Sequence, residues 1–322
     1  MLRYSLIRII WLIPIIICVS FIIYALLDMT PGSVIDNMIT DRMTEENIEE
    51  LRRLHNLDRP MIYRFGLYML GLIQGDLGRC EVTGLPVWDI FMARFPRTLA
   101  LSLWSLVFGV ALSIPLGIFA AKRAGTIWDN ITTVFSMIGI SMPGFWLGLL
   151  LLIWFASEAG FKVFPVGYDG TWKSYVLPVF ATSLVMAATT TRQTRSAFLE
   201  VSRHDYLRTA RAKGLPERHV TLKHALRNAW IPIITTIGLT LSRVLAGSAI
   251  IESVYTWPGV GRLTVEAVSQ RNATLAAGCV ILTSIMYVLI LLLVDLIYVI
   301  ADPRIKAQYS PQRRELGRMF LS

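Results

Sequence analysis

Residues that bind metals, form disulfides or hold nucleotides are scarce in this chain. Its 322 residues include three cysteines and four histidines, and the His-Glu-x-x-His pattern is missing. The cysteine spacing fits neither a metal site nor a disulfide framework. The chain also lacks Gly-x-x-x-x-Gly-Lys-Ser/Thr, the loop that cradles nucleotide phosphates. We therefore expect no catalytic, metal or cofactor site in this chain.

Charged residues are also sparse, at 16%, whereas apolar residues make up 54% and the mean hydropathy is +0.56. A helix needs about 20 mostly apolar residues to cross a bilayer. Apolar runs predict six transmembrane helices, at residues 9–27, 99–121, 131–155, 175–191, 230–251 and 275–300. No histidine lies in these runs, which argues against an intramembrane hydrolase with a nucleophile–base pair. The sequence thus predicts an all-α membrane protein.

The first apolar run could be a cleaved signal peptide, but it is longer than usual and no small-x-small cleavage site follows it. We therefore predict a retained span, followed by an external helical insertion in which Thr44 begins a helix and Asn56 ends it in a left-handed turn. The predicted divisions are an N-terminal span at 1–29, the insertion at 30–97, a five-span core at 98–302 and a cytosolic tail at 303–322.

Lysine and arginine lie mostly on one side of the predicted spans. If the N-terminus is inside, the inside segments hold eighteen of them and the two short outside loops hold four. Because this bias sets orientation, we expect both termini in the cytosol of a bacterial or archaeal cell, with the chain in its inner membrane and in contact with lipid. The net charge of +9 then reflects topology, and no nucleic-acid partner is expected.

The longest polar break in the second half of the chain is the loop at 192–228, between predicted spans four and five. It contains nine basic residues, namely Arg192, Arg195, Arg203, Arg208, Arg211, Lys213, Arg218, Lys223 and Arg227. Such a loop could be no more than the consequence of a positive-inside topology. The glycine and the proline within this loop predict a defined helical structure in addition.

The loop is predicted to form two helices joined by a sharp corner. Asp205 is placed to N-cap a short helix, and Arg211 and Lys213 lie in its last turn, where cations suit the helix dipole. Gly214 follows, where a left-handed turn is expected, and Pro216 is predicted to be the first residue of the next helix.

One side of this short helix is predicted to contact a partner. Leu207, Ala210, Arg211 and Gly214 share that side, because they are spaced at i, i+3, i+4 and i+7. Arg195 lies further from the corner, so its replacement by glutamine is expected to be mild.

The sequence also resembles the permease subunits of ATP-binding-cassette importers, in the branch that transports dipeptides, oligopeptides and nickel. The likeness covers nearly the whole chain. It is carried by Leu54-His-Asn-Leu-Asp-Arg-Pro60, Gly75-Asp-Leu-Gly78, Ser141-Met-Pro143, Thr209-Ala-Arg-Ala-Lys-Gly-Leu215, His224-Ala-Leu-Arg-Asn-Ala229, Ile251-Glu252, Trp257-Pro-Gly-Val-Gly-Arg262 and Asp302-Pro-Arg304. The loop departs from the general Glu-Ala-Ala pattern, since Arg208, Thr209 and Ala210 stand there, but it fits the peptide and nickel branch.

The resemblance implies a second homologous permease, two ATPase subunits that hold ATP and Mg, and an external substrate-binding protein. The insertion and the turn at 257–262 are expected to face outside and receive the binding protein. The short helix would be the coupling helix that docks on an ATPase. The expected coupling residues are Asp205, Leu207, Ala210, Arg211, Lys213, Gly214, Leu215, Pro216, His224, Arg227 and Asn228.

Candidates for the translocation path come from polar and helix-breaking residues inside the spans. Ser141, Met142 and Pro143 interrupt the third span, which predicts either a kink or a lined path. The hydroxyl residues Thr182, Ser183 and Thr189 are predicted to face a pore in part, or to pack helices together. The charged candidates are Arg243, Glu252 and Asp295, with a structural ion pair or an interfacial charge as alternatives.

We therefore predict an importer permease that performs no covalent chemistry itself. It would move solute inward by alternating access, driven by ATP hydrolysis on partner subunits. A short peptide is the expected substrate, and nickel or a metal chelate remains the alternative within the family. A self-contained secondary transporter is the alternative of a different class, although six spans without a visible repeat are few for one.

Overall fold

The structure is a computed structural model that describes residues 2–29, 35, 43–54 and 56–301. Side chains are described for these residues except 2–9, 242, 243, 245–247 and 294–301. The predicted cytosolic tail and the segments 30–34 and 36–42 of the predicted insertion therefore lie outside the described residues.

Helices dominate the described residues, which agrees with the predicted all-α class. They are α1 Leu2–Met29, α2 Glu45–Leu54, α3 Met61–Ile73, α4 Val87–Lys122, α5 Ile127–Ser141, α6 Gly144–Phe155, α7 Lys173–Ser202, α8 Asp205–Ala212, α9 Glu217–His219, α10 Leu226–Val254, α11 Val260–Ser269 and α12 Ala273–Ala301. A π-helical segment, Val220–Ala225, joins α9 to α10. The β-pairing in this part of the chain is one isolated bridge, between Arg79 and Pro86.

Four described helices are long and apolar enough to cross a membrane, namely Ile10–Met29, Val87–Lys122, Lys173–Ser202 and Ala273–Leu293. The pair α5 and α6 gives a fifth candidate if it counts as one span. α10 is 29 residues long and contains the predicted fifth span. The count of six spans stays a prediction.

The second span begins earlier than the sequence predicted. α4 starts at Val87, so the last eleven residues of the predicted insertion belong to a helix that continues to Lys122. Pro96 lies within this helix. The described helical part of the insertion is therefore α2 and α3.

One compact unit contains residues 101–244, together with the described residues 2–5 and 289–301. Its α7 is buried along most of its length, and small residues allow the neighbouring helices to approach it. A Cβ atom on Gly117 of α4 would lie 2.6 Å from the Cβ atom of Thr194. One on Gly139 of α5 would lie 2.8 Å from the Cβ atom of Ala188. Close approach through small residues is how membrane helices gain packing contacts.

An ion pair joins α5 to α7 in this unit. Arg195 donates from Nε and Nη2 to the two carboxylate oxygens of Asp129, at 2.5 and 2.8 Å. Asp129 is buried and also accepts from the amide of Gly125 at 2.9 Å. Arg195→Gln would leave this buried carboxylate without its cation, which argues against a mild effect on stability. The expected mild effect on coupling stays a prediction.

The other unit contains residues 6–100 and 245–288. Its core joins the start of α4 to α11 and α12, with Phe91, Leu263 and Cys279 buried together. A second cluster packs α3 between α1 and α12, through Tyr24, Tyr68 and other apolar residues. Apolar burial of this kind is the main stabilising term in folding.

The predicted turn after α2 is confirmed. Asn56 has a φ of 53°, and the amide of Leu57 donates to the carbonyl of Arg52 at 2.9 Å. The next helix, α3, exposes Ile62, Leu70 and Ile73, although its opposite face is packed in the core.

Candidate functional site

The corner predicted at Gly214 is confirmed. Gly214 has a φ of 74°, and its amide donates to the carbonyl of Arg211 at 2.9 Å. The amide of Leu215 reaches back to the carbonyl of Ala210 at 3.4 Å. These two bonds form a Schellman motif, which ends α8 and satisfies carbonyls that the helix leaves free. Leu215 packs on the same apolar cluster as Ala210, so the turn is fixed by packing as well as by hydrogen bonds.

The helix starts on either side of the corner lie one residue from their predicted positions. His204 occupies the N-cap position of α8, and no side chain caps the helix there. Asp205 is the first helical residue instead, where its carboxylate still suits the positive end of the helix dipole. Pro216 is likewise the residue before α9, which begins at Glu217. The prediction that Asp205 caps the helix is therefore wrong.

Two of the four residues on the predicted contact face of α8 point into the protein, whereas Arg211 and Gly214 are exposed. Leu207 has no exposed surface and Ala210 is 6% exposed, and both belong to the apolar cluster formed with α7 and the residues that follow the corner. They cannot contact a partner without unfolding this cluster. The prediction that Leu207 and Ala210 lie on the contact face is thus wrong, and their role is to seat α8 on its own unit.

Arg211 and Glu217 form an ion pair across the corner. Nε and Nη2 of Arg211 donate to the two carboxylate oxygens of Glu217, each at 3.1 Å. The hydrogen bond from Arg211 is the main cause that lowers the pKa of Glu217, and the same bond raises the pKa of Arg211. Both side chains are about half exposed. The pair ties the end of α8 to the start of α9 and so adds stiffness to the turn.

The last three of the predicted coupling residues lie in or just after the π-helical segment. His224 lies in it, half-buried, and its carbonyl accepts from the side-chain amide of Asn228 at 2.8 Å. Asn228 also forms a hydrogen bond with Tyr206 of α8. Burial raises the pKa of Tyr206, and this hydrogen bond offsets part of the rise. Arg227 is exposed. Single π turns within α-helices often occur at functional sites.

The outward surface of the corner is basic, with two apolar side chains. Tyr206 is 40% exposed and Leu222 is 49% exposed, within an otherwise polar segment. Around them are the exposed residues Asp205, Arg208, Arg211, Lys213, Gly214, Pro216, Arg218 and Lys223. Sequence reasoning missed Tyr206, Glu217 and Leu222, although an aromatic residue in a polar loop was a visible signal for the first of them.

The predicted interruption at Ser141, Met142 and Pro143 is a sharp break. α5 ends at Ser141, Met142 is extended with φ −81° and ψ 124°, and α6 begins after Pro143. The axes of α5 and α6 differ by 99°, which is far more than a proline kink. Met142 is half-buried and the other two residues are exposed. The break is therefore a broken span or a re-entrant loop.

The hydroxyl residues of α7 have different surroundings. Ser183 is buried and donates to the carbonyl of Ser105 on α4 at 3.0 Å, so here it packs helices and does not line a path. Thr182 and Thr189 are half-buried and donate within their own helix, to the carbonyls of Pro178 and Met186 at 2.8 and 3.1 Å. Path lining stays a prediction for these two threonines.

Glu252 is a buried acceptor and not an interfacial charge. It has no exposed surface, and its carboxylate accepts from the hydroxyl of Thr98 at 2.7 Å and from the amide of Arg262 at 2.9 Å. The hydroxyl of Thr98 in turn accepts from the amide of Val260 at 2.8 Å. Glu252 therefore holds the turn at 257–262 and does not line an open path.

Half of the same turn, which was expected to form part of an outer landing surface, is buried. Trp257 has no exposed surface, and its indole N–H donates to the carbonyl of Arg97 at 3.3 Å. Gly259 and Val260 are also buried. The turn therefore packs largely into its own unit, and a contact of its half-buried residues with the binding protein stays a prediction. The side chains of Arg243 and Asp295 lie outside the described residues, and their roles in the path stay predictions.

Comparisons with known proteins cover almost the whole chain. Residues 113–307 match the family described as "Binding-protein-dependent transport system inner membrane component". Residues 1–102 match its N-terminal counterpart, described as "Binding-prot-dependent transport system membrane comp, N-term".

Two curated relatives from Escherichia coli are similar over their full length. The glutathione transport system permease protein GsiC of strain CFT073 is 38% identical over 306 residues, which is 95% of this chain and 99% of the relative. The dipeptide transport system permease protein DppB of strain K12 is 34% identical over 336 residues, with the same coverage.

A solved structure shares the fold. It is a chain of the MetNI methionine ABC transporter in an inward-facing conformation, with a TM-score of 0.55 and 20% identity over 67% of this chain and 97% of that one. The MetNI likeness shows the fold alone. The family matches and the full-length relatives show that this chain belongs to the inner membrane components of binding-protein-dependent transport systems.

Proposed function

We propose that this chain is the permease subunit of an importer that takes up short peptides, driven by ATP hydrolysis on partner subunits. The solute crosses by alternating access between outward-open and inward-open states. The chain works with a second, similar permease, with two ATPase subunits that hold ATP and Mg, and with an external binding protein that delivers the peptide. Peptide cargo is supported by relatives named for glutathione and dipeptide transport.

The observation that carries the proposal is the rigid corner at Gly214. A Schellman turn, an ion pair and a packed inner face hold α8 in one position, and its basic outer surface is left exposed. A stiff, exposed element can transmit a displacement, whereas a mobile loop would absorb it. We assign this surface to contact with an ATPase, with Tyr206 as its anchor, because tyrosine and arginine are enriched among the residues that carry binding energy at interfaces. Leu222 adds exposed apolar surface to it.

In the proposed orientation, both termini and the corner lie in the cytosol, and the insertion lies outside. The binding protein then lands on the insertion, whose helix α2 is exposed along its length. The break between α5 and α6 is assigned to the path or its gate, since interrupted helices mark sites in transporters.

The experiment that tests this function is uptake of a labelled dipeptide into proteoliposomes. The vesicles contain this chain with its second permease and ATPases, and the binding protein is added outside. We expect uptake that needs both ATP and the binding protein. Uptake by this chain alone, without any ATPase, would indicate a self-contained transporter and contradict the proposal.

A further inference from the structure

A cavity of about 1030 Å³ lies within the unit that contains residues 6–100 and 245–288. It is lined by the end of α1, by α2 and α3, by the turn at 78–81 and by the start of α12. Charged side chains of both signs face it, including Asp28, Glu81, Arg64 and Arg79. Neither the coupling surface nor the broken span uses this cavity.

Glu81 is a carboxylate of this cavity on which the charge of Arg64 acts without forming an ion pair. Its Oε1 atom accepts from the hydroxyl of Thr274 at 2.9 Å, and that hydroxyl lies 3.4 Å from the hydroxyl of Tyr24. Arg64 pairs with Asp28. Among the described residues, Glu81 has no ion pair within 4 Å, and its burial raises the pKa of its carboxyl. A desolvated carboxylate with one hydroxyl donor favours binding of a positive group.

Donors in the same cavity also lack a partner. Tyr68 is 8% exposed, and its hydroxyl has no hydrogen-bond partner in the described part of the chain. Nε of Arg64 is buried and likewise unpaired there. Arg64 and Tyr68 are four residues apart on α3 and so share one face of it. Buried polar groups are nearly always hydrogen-bonded, so two free donors indicate a missing acceptor.

We propose that this cavity binds a small zwitterion, whose primary ammonium pairs with Glu81 and whose anionic group accepts from Arg64 and Tyr68. A bare metal ion fits less well because the positive charge of Arg64, which lines the same space, would repel it. A bare anion fits less well because the negative charge of Glu81 would repel it. Two sources share this chemistry. One is a free short peptide, which rests on the proposed function, and the other is the headgroup of phosphatidylethanolamine, which does not.

The test uses the assembled permease–ATPase complex without ATP, in nanodiscs of phosphatidylcholine. L-alanyl-L-alanine is titrated by calorimetry, alongside its N-acetyl form, which lacks the ammonium. In a parallel arm, phosphatidylethanolamine is added to the nanodiscs and the bound lipid is counted by native mass spectrometry. Binding in the first arm identifies the peptide source, and binding in the second identifies the lipid source.

Two variants and a control separate binding from folding. Glu81→Gln should weaken binding in the positive arm about tenfold, because it removes a charge-assisted contact, and N-acetylation should do the same to the dipeptide. Tyr68→Phe removes a hydroxyl that forms no hydrogen bond within the described residues, so a purely structural role predicts no change in binding, whereas the proposal predicts about threefold weaker binding. Glu158→Gln alters an exposed carboxylate that does not line the cavity and should bind as wild type does.

Equal affinity of wild type and Glu81→Gln would overturn the proposal, as would the absence of binding in both arms. The assay uses neither ATP nor a binding protein. Its failure therefore leaves the uptake experiment, and with it the proposed function, to be decided separately.

Discussion

Arg195 on α7 holds the buried carboxylate of Asp129 on α5 through two parallel hydrogen bonds, of 2.5 and 2.8 Å. Paired N–H donors that meet both oxygens of one carboxylate give the strongest geometry available to an arginine. The side chain of Asp129 is 4% exposed and that of Arg195 is 30% exposed, so water can replace little of the contact. The pair fixes the helix that precedes the break at Pro143.

The first prediction concerns this pair. Arg195→Gln should lower the stability of the membrane-inserted protein by about 2 kcal/mol or more, because Asp129 keeps its buried charge and loses its cation. Thermal unfolding followed by tryptophan fluorescence measures the effect. Arg192→Gln is the matched control, since Arg192 is exposed on the same helix. Equal unfolding temperatures for the two variants would contradict the account, and Asp129→Asn in the Arg195→Gln background should recover part of the loss.

The second prediction concerns the ion pair across the corner. Arg211→Glu places two carboxylates together, and Glu217→Arg places two guanidinium groups together, so each change should loosen the turn and reduce ATP turnover stimulated by loaded binding protein. The double variant, with both changes, restores an ion pair of reversed direction. If it recovers turnover, the pair itself matters. If it is as poor as Arg211→Glu, the charge of Arg211 acts on a partner and not on Glu217.

The third prediction is the pH dependence of the same pair. The pKa of Glu217 is lowered in the folded protein. The pair therefore stabilises the fold at pH values above the ordinary pKa of a glutamate carboxyl. This stabilisation is lost as the pH falls through the lowered pKa. The contribution is small, below about 1 kcal/mol, since both groups are half exposed. Wild type should therefore unfold at a higher temperature than Glu217→Gln at pH 7, and the difference should disappear well below about pH 4. A difference that persists in acid would mean that the glutamine itself disturbs the fold.

The fourth prediction concerns the buried turn at 257–262. A Cβ atom on Gly259 would lie 2.4 Å from the carboxylate of Glu252, a contact that cannot form without displacing one of them. Gly259→Ala should therefore lower stability by about 1–3 kcal/mol. Gly66→Ala is the control, because its Cβ would meet nothing within 4 Å and alanine favours a helix. Stability of Gly259→Ala equal to that of Gly66→Ala would show that Glu252 does not hold the turn.

The sequence predicted features that local chemistry determines. Gly214 was predicted in a left-handed turn because a glycine followed a cationic last turn and preceded a proline, and Asn56 was predicted in the same way. Both positions have positive φ. The apolar runs likewise predicted the helical membrane class, since the length and hydropathy of a span are local properties.

Features that depend on distant contacts were not predictable in this way. Helical spacing placed Leu207 and Ala210 on one face, but which face turns inward depends on packing against α7. Arg195 looked dispensable because its partner Asp129 lies 66 residues away in sequence. One hydrogen-bond donor to Glu252 is the backbone amide of Arg262, and a backbone donor cannot be recognised in a sequence. Glu252 therefore resembled a charge at the membrane interface.

The last prediction concerns Gly214, on which the proposed coupling depends. Valine at a φ of 74° is strained by about 1–2 kcal/mol or more, whereas asparagine tolerates this conformation. A Cβ there would meet nothing within 4 Å, so the difference between the two variants reports backbone strain and not a clash within the chain. Gly214→Val should insert normally and lose coupling, and Gly214→Asn should keep most of it.

The measurement is ATP turnover by the reconstituted complex, with and without peptide-loaded binding protein, together with recovery of the ATPase subunits on the purified permease. We predict that Gly214→Val loses either the stimulated turnover or the bound ATPase, and that Gly214→Asn stays near wild type. If Gly214→Val keeps both at the wild-type level, the corner does not couple to an ATPase and the loop serves only the orientation of the spans.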